Sequence, residues 1–174
     1  YDYALLLPKK DAAYTEYESF KQVFGEEGNL IIVGVQDSNF FNYEKFKKWG
    51  ELCQQLSQVE GVEHLLSVSN AYNLVKNTEE KKFVVEKIFS DSISTQAELD
   101  AAVAKFETLP FYRNLVYNPE THSYILAITV NKDKMHTKTR EKMILSIQKV
   151  CRNFEQQEGV KLHYSGLPYI RVIN

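Results

Sequence analysis

The longest unbroken apolar run, Leu30 to Val35 within Asn29 to Gln36, has strand length and lacks the polar alternation of a half-solvated strand. It predicts a strand covered on both faces. The period then changes. Over Asn42 to Ser57, Phe46, Trp49, Leu52, Cys53 and Leu56 fall on one helical face. Gly61 ends the following turn, and Val62 to Val68 reads as a returning strand. This order predicts a right-handed crossover between parallel strands. Upstream, Tyr3 to Leu7 reads as a first strand closed by Pro8. Asp11 then opens a helix carrying Tyr14, Tyr17, Phe20 and Phe24, with Gly25 as its stop.

The same helix, turn and strand return later in the chain. Cys53-Gln54-Gln55-Leu56-Ser57-Gln58-Val59-Glu60-Gly61-Val62 lines up with Cys151-Arg152-Asn153-Phe154-Glu155-Gln156-Gln157-Glu158-Gly159-Val160. In that register Phe46, Trp49, Leu52 and Leu56 correspond to Ile144, Ile147, Val150 and Phe154, so the apolar face is repeated too. Two related strand-helix-strand units are expected. His136 to Gln157 is the long helix of the second, and Val160 to Ser165 its return strand. Arg113 to Tyr117 and Ser123 to Asn131 flank Asn118-Pro119-Glu120-Thr121, a turn signal that predicts a hairpin.

Between the repeats the character shifts. Asn70 to Phe89 mixes charge with Leu74, Val75, Phe83, Val84, Val85, Ile88 and Phe89, which reads as short helices. Thr95 and Glu98 form a capping box ahead of Leu99, Ala102, Val103 and Phe106. The expected class is α+β: a ferredoxin-like α/β sandwich with repeated βαβ units, helices on one face of a mixed sheet, plus a helical insert. The division runs 1–68 for the first half, 69–111 for the insert, and 112–174 for the second half.

Composition narrows the classes. The chain has 174 residues, 44% hydrophobic and 25% charged, enough for a real core in one or two small domains. A formal charge of -2 leaves no basic footprint for nucleic acid, and Lys45-Phe46-Lys47-Lys48 reads as a solvated helix face. No window approaches the roughly 20 apolar residues needed to span a bilayer. Both ends, at Tyr1 and Asn174, read as cuts through a longer protein. Cys53 and Cys151 are too few for a disulfide framework and lie on apolar helix faces, as buried thiols do. Side-by-side helices would leave a bridge between them geometrically conceivable.

Candidate chemistry is sparse. The chain has no GxSxG elbow, Walker loop, GxGxxG or HExxH. Ser165-Gly166-Leu167-Pro168 is set aside as a nucleophile site because no helix-opening turn is expected after Ser165. His64, His122, His136 and His163 are scattered, so no metal site, catalytic residue or cofactor is expected. The aromatics stand out, with 11 Tyr and 10 Phe. Phe40, Phe41 and Tyr43 crowd a strand-to-helix loop; they either staple the helix start to the core or offer an apolar surface to a greasy ligand or partner. Phe83 and Phe89 are candidates for the opposite wall.

The order of motifs resembles a known family. Leu7-Pro8, Tyr17-Glu18-Ser19-Phe20 before Phe24-Gly25, Asn29-Leu30-Ile31-Ile32-Val33, Gly61-Val62-Glu63-His64-Leu65-Leu66-Ser67-Val68 and Ser165-Gly166-Leu167-Pro168 carry the likeness. Together they are similar to the first large extracytoplasmic loop of RND superfamily exporters, in the MMPL-like or Patched-like branch. The resemblance implies a periplasmic, non-enzymatic porter domain between the first two membrane helices, with Leu167-Pro168-Tyr169-Ile170-Arg171 leading into the second. It implies a hydrophobic or lipid-like substrate and, as partners, the second porter loop and membrane domain of the same chain, within an oligomer of the parent transporter. The proton-coupling residues of such exporters lie in membrane helices outside this sequence. The insert has no counterpart in the family pattern. The competing reading is a free-standing ferredoxin-like ligand-sensing module; an acylphosphatase-like hydrolase would share architecture alone.

Overall fold

The computed structural model describes residues 27–77, 82–135 and 137–173, with the side chains at 27, 76, 77, 82, 83, 134, 135 and 137 undescribed. The strand and helix expected at 3–7 and 11–24 lie outside these residues, as does His136. The described elements are strand β1 (Leu30–Gln36), helix α1 (Tyr43–Ser57), β2 (Val62–Leu66), β3 (Tyr72–Asn77), β4 (Lys82–Lys87), α2 (Gln96–Glu107), β5 (Tyr117–Asn118), β6 (Ser123–Val130), α3 (Thr137–Glu158), β7 (Leu162–Ser165) and α4 (Leu167–Ile173). The protein is α+β, with one five-stranded and one two-stranded sheet among the described residues.

The main sheet runs β2-β6-β1-β7, with β5 added to β6. Each of its named ladders is antiparallel, which corrects the expectation of a mixed sheet. The crossover is split. β1 and β2 do run the same way, but β6 lies between them and pairs with both. By the same logic β6 and β7 run the same way with β1 between them. Each strand-helix-strand unit is therefore split by a strand of the other, and the two interlock. The sequence echo lies on equivalent parts of these units: α1 and α3 each end in a turn with a left-handed glycine, Gly61 at φ 97° and Gly159 at φ 64°, before the outer strand.

Alternation along the central strands sorts the layers. Ile31, Val33 and Val35 pair with Ile128, Leu126 and Tyr124, and all six are buried in the core that also holds the apolar faces of the helices. Helix α1 contributes Phe46, Trp49, Leu52, Cys53 and Leu56; α3 contributes Met143, Ile144, Ile147 and Cys151. Each large side chain so buried stabilises the fold by about 1.5–3 kcal/mol. Both helices thus lie on one face, tied by Lys48, which donates to Glu158 at 2.8 Å. Lys45 pairs with Asp37 at 2.6 Å as well, and Lys47 and Lys48 stay exposed, as a solvated helix face requires. The opposite face carries a smaller cluster, Leu30 and Ala127 among Ile32, Leu66 and Leu115.

Three local readings change. The segment expected to form short helices is an antiparallel hairpin, β3 with β4, in which Leu74 faces Val85 and Val75 faces Val84. Its β-branched pairs fit a ribbon better than a helical face. The strand expected at Arg113 to Tyr117 shrinks to Tyr117–Asn118, because residues 114–116 turn, with Asn114 at φ 61°. A helix, α4, does open immediately after Gly166, contrary to the expectation for that turn.

Candidate functional site

The loop after β1 is held where it enters α1. Asn42 caps α1, its side chain accepting from the amides of Glu44 and Lys45 at 3.2 and 3.4 Å. Gln96, the first residue of α2, then bridges the loop to the insert: its side-chain oxygen accepts from the Tyr43 amide at 2.7 Å and its nitrogen donates to the Phe41 carbonyl at 2.9 Å. Both bonds span more than fifty residues of sequence. Sequence reading missed Gln96; a polar residue directly after the Thr95 cap is the sole local signal.

The aromatic candidates separate by depth. Phe40 is a core residue, which corrects its reading as surface: its ring lies flat on Tyr124 at 3.8 Å and meets Trp49 edge-on at 5.2 Å. Phe89 is buried as well, packed on Phe46 at 4.8 Å and on Phe106 at 5.5 Å. Phe41 and Tyr43 are half-buried, and Phe41 stacks toward Phe89 at 6.4 Å. Phe83 lies in β4 opposite Lys76, and its side chain is outside the described set. A continuous aromatic chain thus welds the insert to the main core. Here the burial of apolar area outweighs any ligand role for Phe40.

What remains accessible is a cleft of about 760 Å³ between α1 and the segment linking β4 to α2. Tyr43, Phe46, Phe89 and Ile93 supply its apolar wall, and Gly50 leaves space along α1. Its rim is charged: Lys47 and Glu51 on one side, Lys87 and Asp91 on the other, the latter two paired at 2.7 Å. A narrower groove of about 300 Å³ runs between α1 and α3 beside the Lys48–Glu158 pair. Tyr43 and Phe89 both line the larger cleft, whereas Phe40 and Phe41 do not.

Titratable groups near the cleft are thiol and charged rim. Burial pushes the Cys53 thiol up, with the Ser69 hydroxyl, which donates to its sulfur at 3.5 Å, opposing the shift in part. Cys53 and Cys151 are both free and buried. His64, His122 and His163 are exposed on separate elements, and no metal-holding cluster of His, Cys, Asp and Glu exists among the described residues. Ser165 pairs with Ile32 at the end of β7, and α4 opens two residues later at Leu167. The cleft thus sets an apolar wall of Tyr43, Phe46, Phe89 and Ile93 against a charged rim.

No helix among the described residues is long and apolar enough to cross a membrane. No protein-family model matches the chain, and no curated protein is similar to it.

Proposed function

We propose that this chain is an extracytoplasmic porter domain of a proton-driven RND-type exporter, in the MMPL-like or Patched-like branch, and that the cleft beside α1 receives a hydrophobic or lipid-like substrate. The observation that carries this reading is the interlocking of two split strand-helix-strand units in the order β2-β6-β1-β7, with α1 and α3 on one face. That order supports a ferredoxin-like α/β sandwich, the subdomain type the resemblance implies.

The cleft supplies the chemistry. Its volume, about 760 Å³, falls inside the range of small-molecule sites, roughly 300–1,000 Å³. Its open sides suit a substrate that enters and leaves rather than one that is trapped. Helix α4 presents Leu167, Ile170 and Ile173 to solvent along one stripe, where the second membrane helix would begin. In this reading the domain is non-enzymatic, holds no cofactor, sits in the periplasm, and works with the second porter loop and the membrane domain of the same chain.

Two measurements test it. About 30 residues on each side of this segment in the parent reading frame should contain spanning runs of roughly 20 apolar residues. A start codon or a soluble neighbour there would overturn the exporter and favour the ligand-sensing module. Separately, the 174-residue chain should bind 1-anilinonaphthalene-8-sulfonate, and Ile93→Glu should weaken that binding about tenfold or more while circular dichroism is unchanged. Equal binding by the variant would remove the cleft from the account.

A further inference from the structure

The hairpin β3–β4 stands apart from the core and carries an exposed apolar pair on each face. Leu74 and Val85 lie opposite each other on one face at 65% and 60% exposure, and Val75 and Val84 on the other at 41% and 45%. A two-stranded ribbon with no covered face is marginal by itself. Its base is fixed. The Tyr112 hydroxyl accepts from the Tyr72 amide at 2.9 Å and donates to the Tyr72 carbonyl at 2.8 Å, and the Ile88 amide donates to the Ala71 carbonyl at 3.1 Å.

The clasp at Tyr72 fixes which backbone groups face outward. Both of its main-chain groups are turned to Tyr112 and so away from β4, and in an antiparallel ladder that direction alternates along the strand. The amides and carbonyls of Leu74 and Lys76 therefore point to the outer edge of β3 as well. Tyr112 fills the first rung of that edge, and the next two, at Leu74 and Lys76, stand beyond it. The edge is also the less guarded one. Lys76 is the one charged residue of β3, whereas β4 carries Lys82, Glu86 and Lys87, with Glu86 held by Lys105 of α2 at 2.7 Å.

We infer that the outer edge of β3 is an interface for a second copy of this chain, joined through β3 itself in a four-stranded ribbon β4-β3-β3-β4. The register follows from the two rungs. With Val75 on the twofold axis, the backbone of Leu74 bonds that of the partner's Lys76 and the reverse, Val75 meets its own copy across the wide pair, and no like charges stand directly opposite. Shifting the axis to Leu74 would oppose Lys76 to Tyr72, whose groups Tyr112 already occupies. The doubled ribbon joins the exposed apolar pairs of both copies into broader faces, which is the stabilisation a lone hairpin lacks. This surface is independent of the cleft.

Sedimentation of the whole chain over a range of concentrations should show a reversible monomer–dimer equilibrium. Leu74→Pro removes the outward amide and no bond to β4, so it should give a monomer with unchanged circular dichroism. Val75→Cys should cross-link to its own copy under mild oxidation, and Leu74→Cys should not. A wild-type chain that stays monomeric at every concentration, or a dimer that Leu74→Pro leaves intact, overturns the proposal. Cross-linking favoured at Leu74→Cys overturns the register.

Discussion

The indole Nε1 of Trp49 donates to the hydroxyl of Ser67 at 2.7 Å, a buried bond between the core face of α1 and the residue that follows β2. Ser67 is in turn fixed by its own amide, which donates to the Asn70 side chain at 2.6 Å, while Asn70 donates to the Leu65 carbonyl at 2.6 Å. Trp49 is thereby satisfied at the centre of the aromatic chain rather than merely packed. Ser67→Ala leaves that indole group without a partner in a dry site and should cost about 1–3 kcal/mol in urea unfolding. Trp49→Phe, which removes the donor but leaves a ring, combined with Ser67→Ala should lose less than the sum of the two single changes. Additive losses would show that the bond carries no coupling.

Gly166 sits at the junction of β7 and α4 with φ 112°, and a Cβ there would collide with the carbonyl oxygen of Leu30. Backbone meets backbone, so neither side yields. Gly166→Ala should destabilise the chain by about 3 kcal/mol or more, combining strain in φ with the clash. Gly50 is the internal control: it lies inside α1 with no atom near the position a Cβ would take. Gly50→Ala should stabilise by about 0.5–1 kcal/mol. Thermal midpoints moving in opposite directions for the two variants would establish both claims, and a tolerated Gly166→Ala would contradict the close approach.

The elements read correctly from sequence are those whose signal is local. The Phe46-Trp49-Leu52-Leu56 stripe announces α1 because a single helix face packs on a single sheet, and the Thr95 and Glu98 pair announces α2 because a cap is a local hydrogen-bond problem. Where pairing is long-range the signal fails. Nothing in β1 or β2 says that β6 will come between them, so a split unit looks like a simple crossover. The hairpin was obscured for a related reason: Leu74, Val75, Val84 and Val85 face solvent on both sides, so no buried face imposes a period on the sequence. Phe40 sits in a strand-to-helix loop where nothing local marks depth, and its burial depends on Tyr124, far along the chain. The bridge from Gln96 to Phe41 and Tyr43 is invisible for the same reason.

The cap of α2 titrates. The Glu98 carboxylate accepts from the Ser94 amide at 2.8 Å and from the Thr95 amide at 3.1 Å, and the Ser94 bond is the larger cause holding its pKa below the ordinary carboxylate value. A depressed folded pKa means the folded state binds that proton less readily than the unfolded one. The associated stability is present above the unfolded value and is lost as pH falls through the folded one. Glu98→Gln should flatten the acid limb of the stability curve. Thr95→Ala, which removes the reciprocal bond, should cost about 1 kcal/mol at neutral pH, read from the midpoint of urea unfolding.

Cys151 makes the opposite prediction on the alkaline side. Burial on α3 pushes its thiol from an ordinary 9.0 up to about 12, and the neighbouring Tyr164 hydroxyl opposes the shift in part. Tyr124, under the Phe40 ring, is raised from 10.0 to about 12 by the same cause. A raised folded pKa in an acid means that the unfolded chain gives up its proton first. The stability is therefore whole below the unfolded value and declines from about pH 9 until the folded value is passed. Cys151→Ala should reduce that alkaline slope while costing about 1 kcal/mol at pH 7 through lost packing. Because the thiolate is the reactive species, iodoacetamide at pH 8 should modify Cys151 of the folded chain far more slowly than that of the urea-unfolded chain. Equal rates would mean that the α3 face of the core opens readily, and the alkaline slope should then vanish with it.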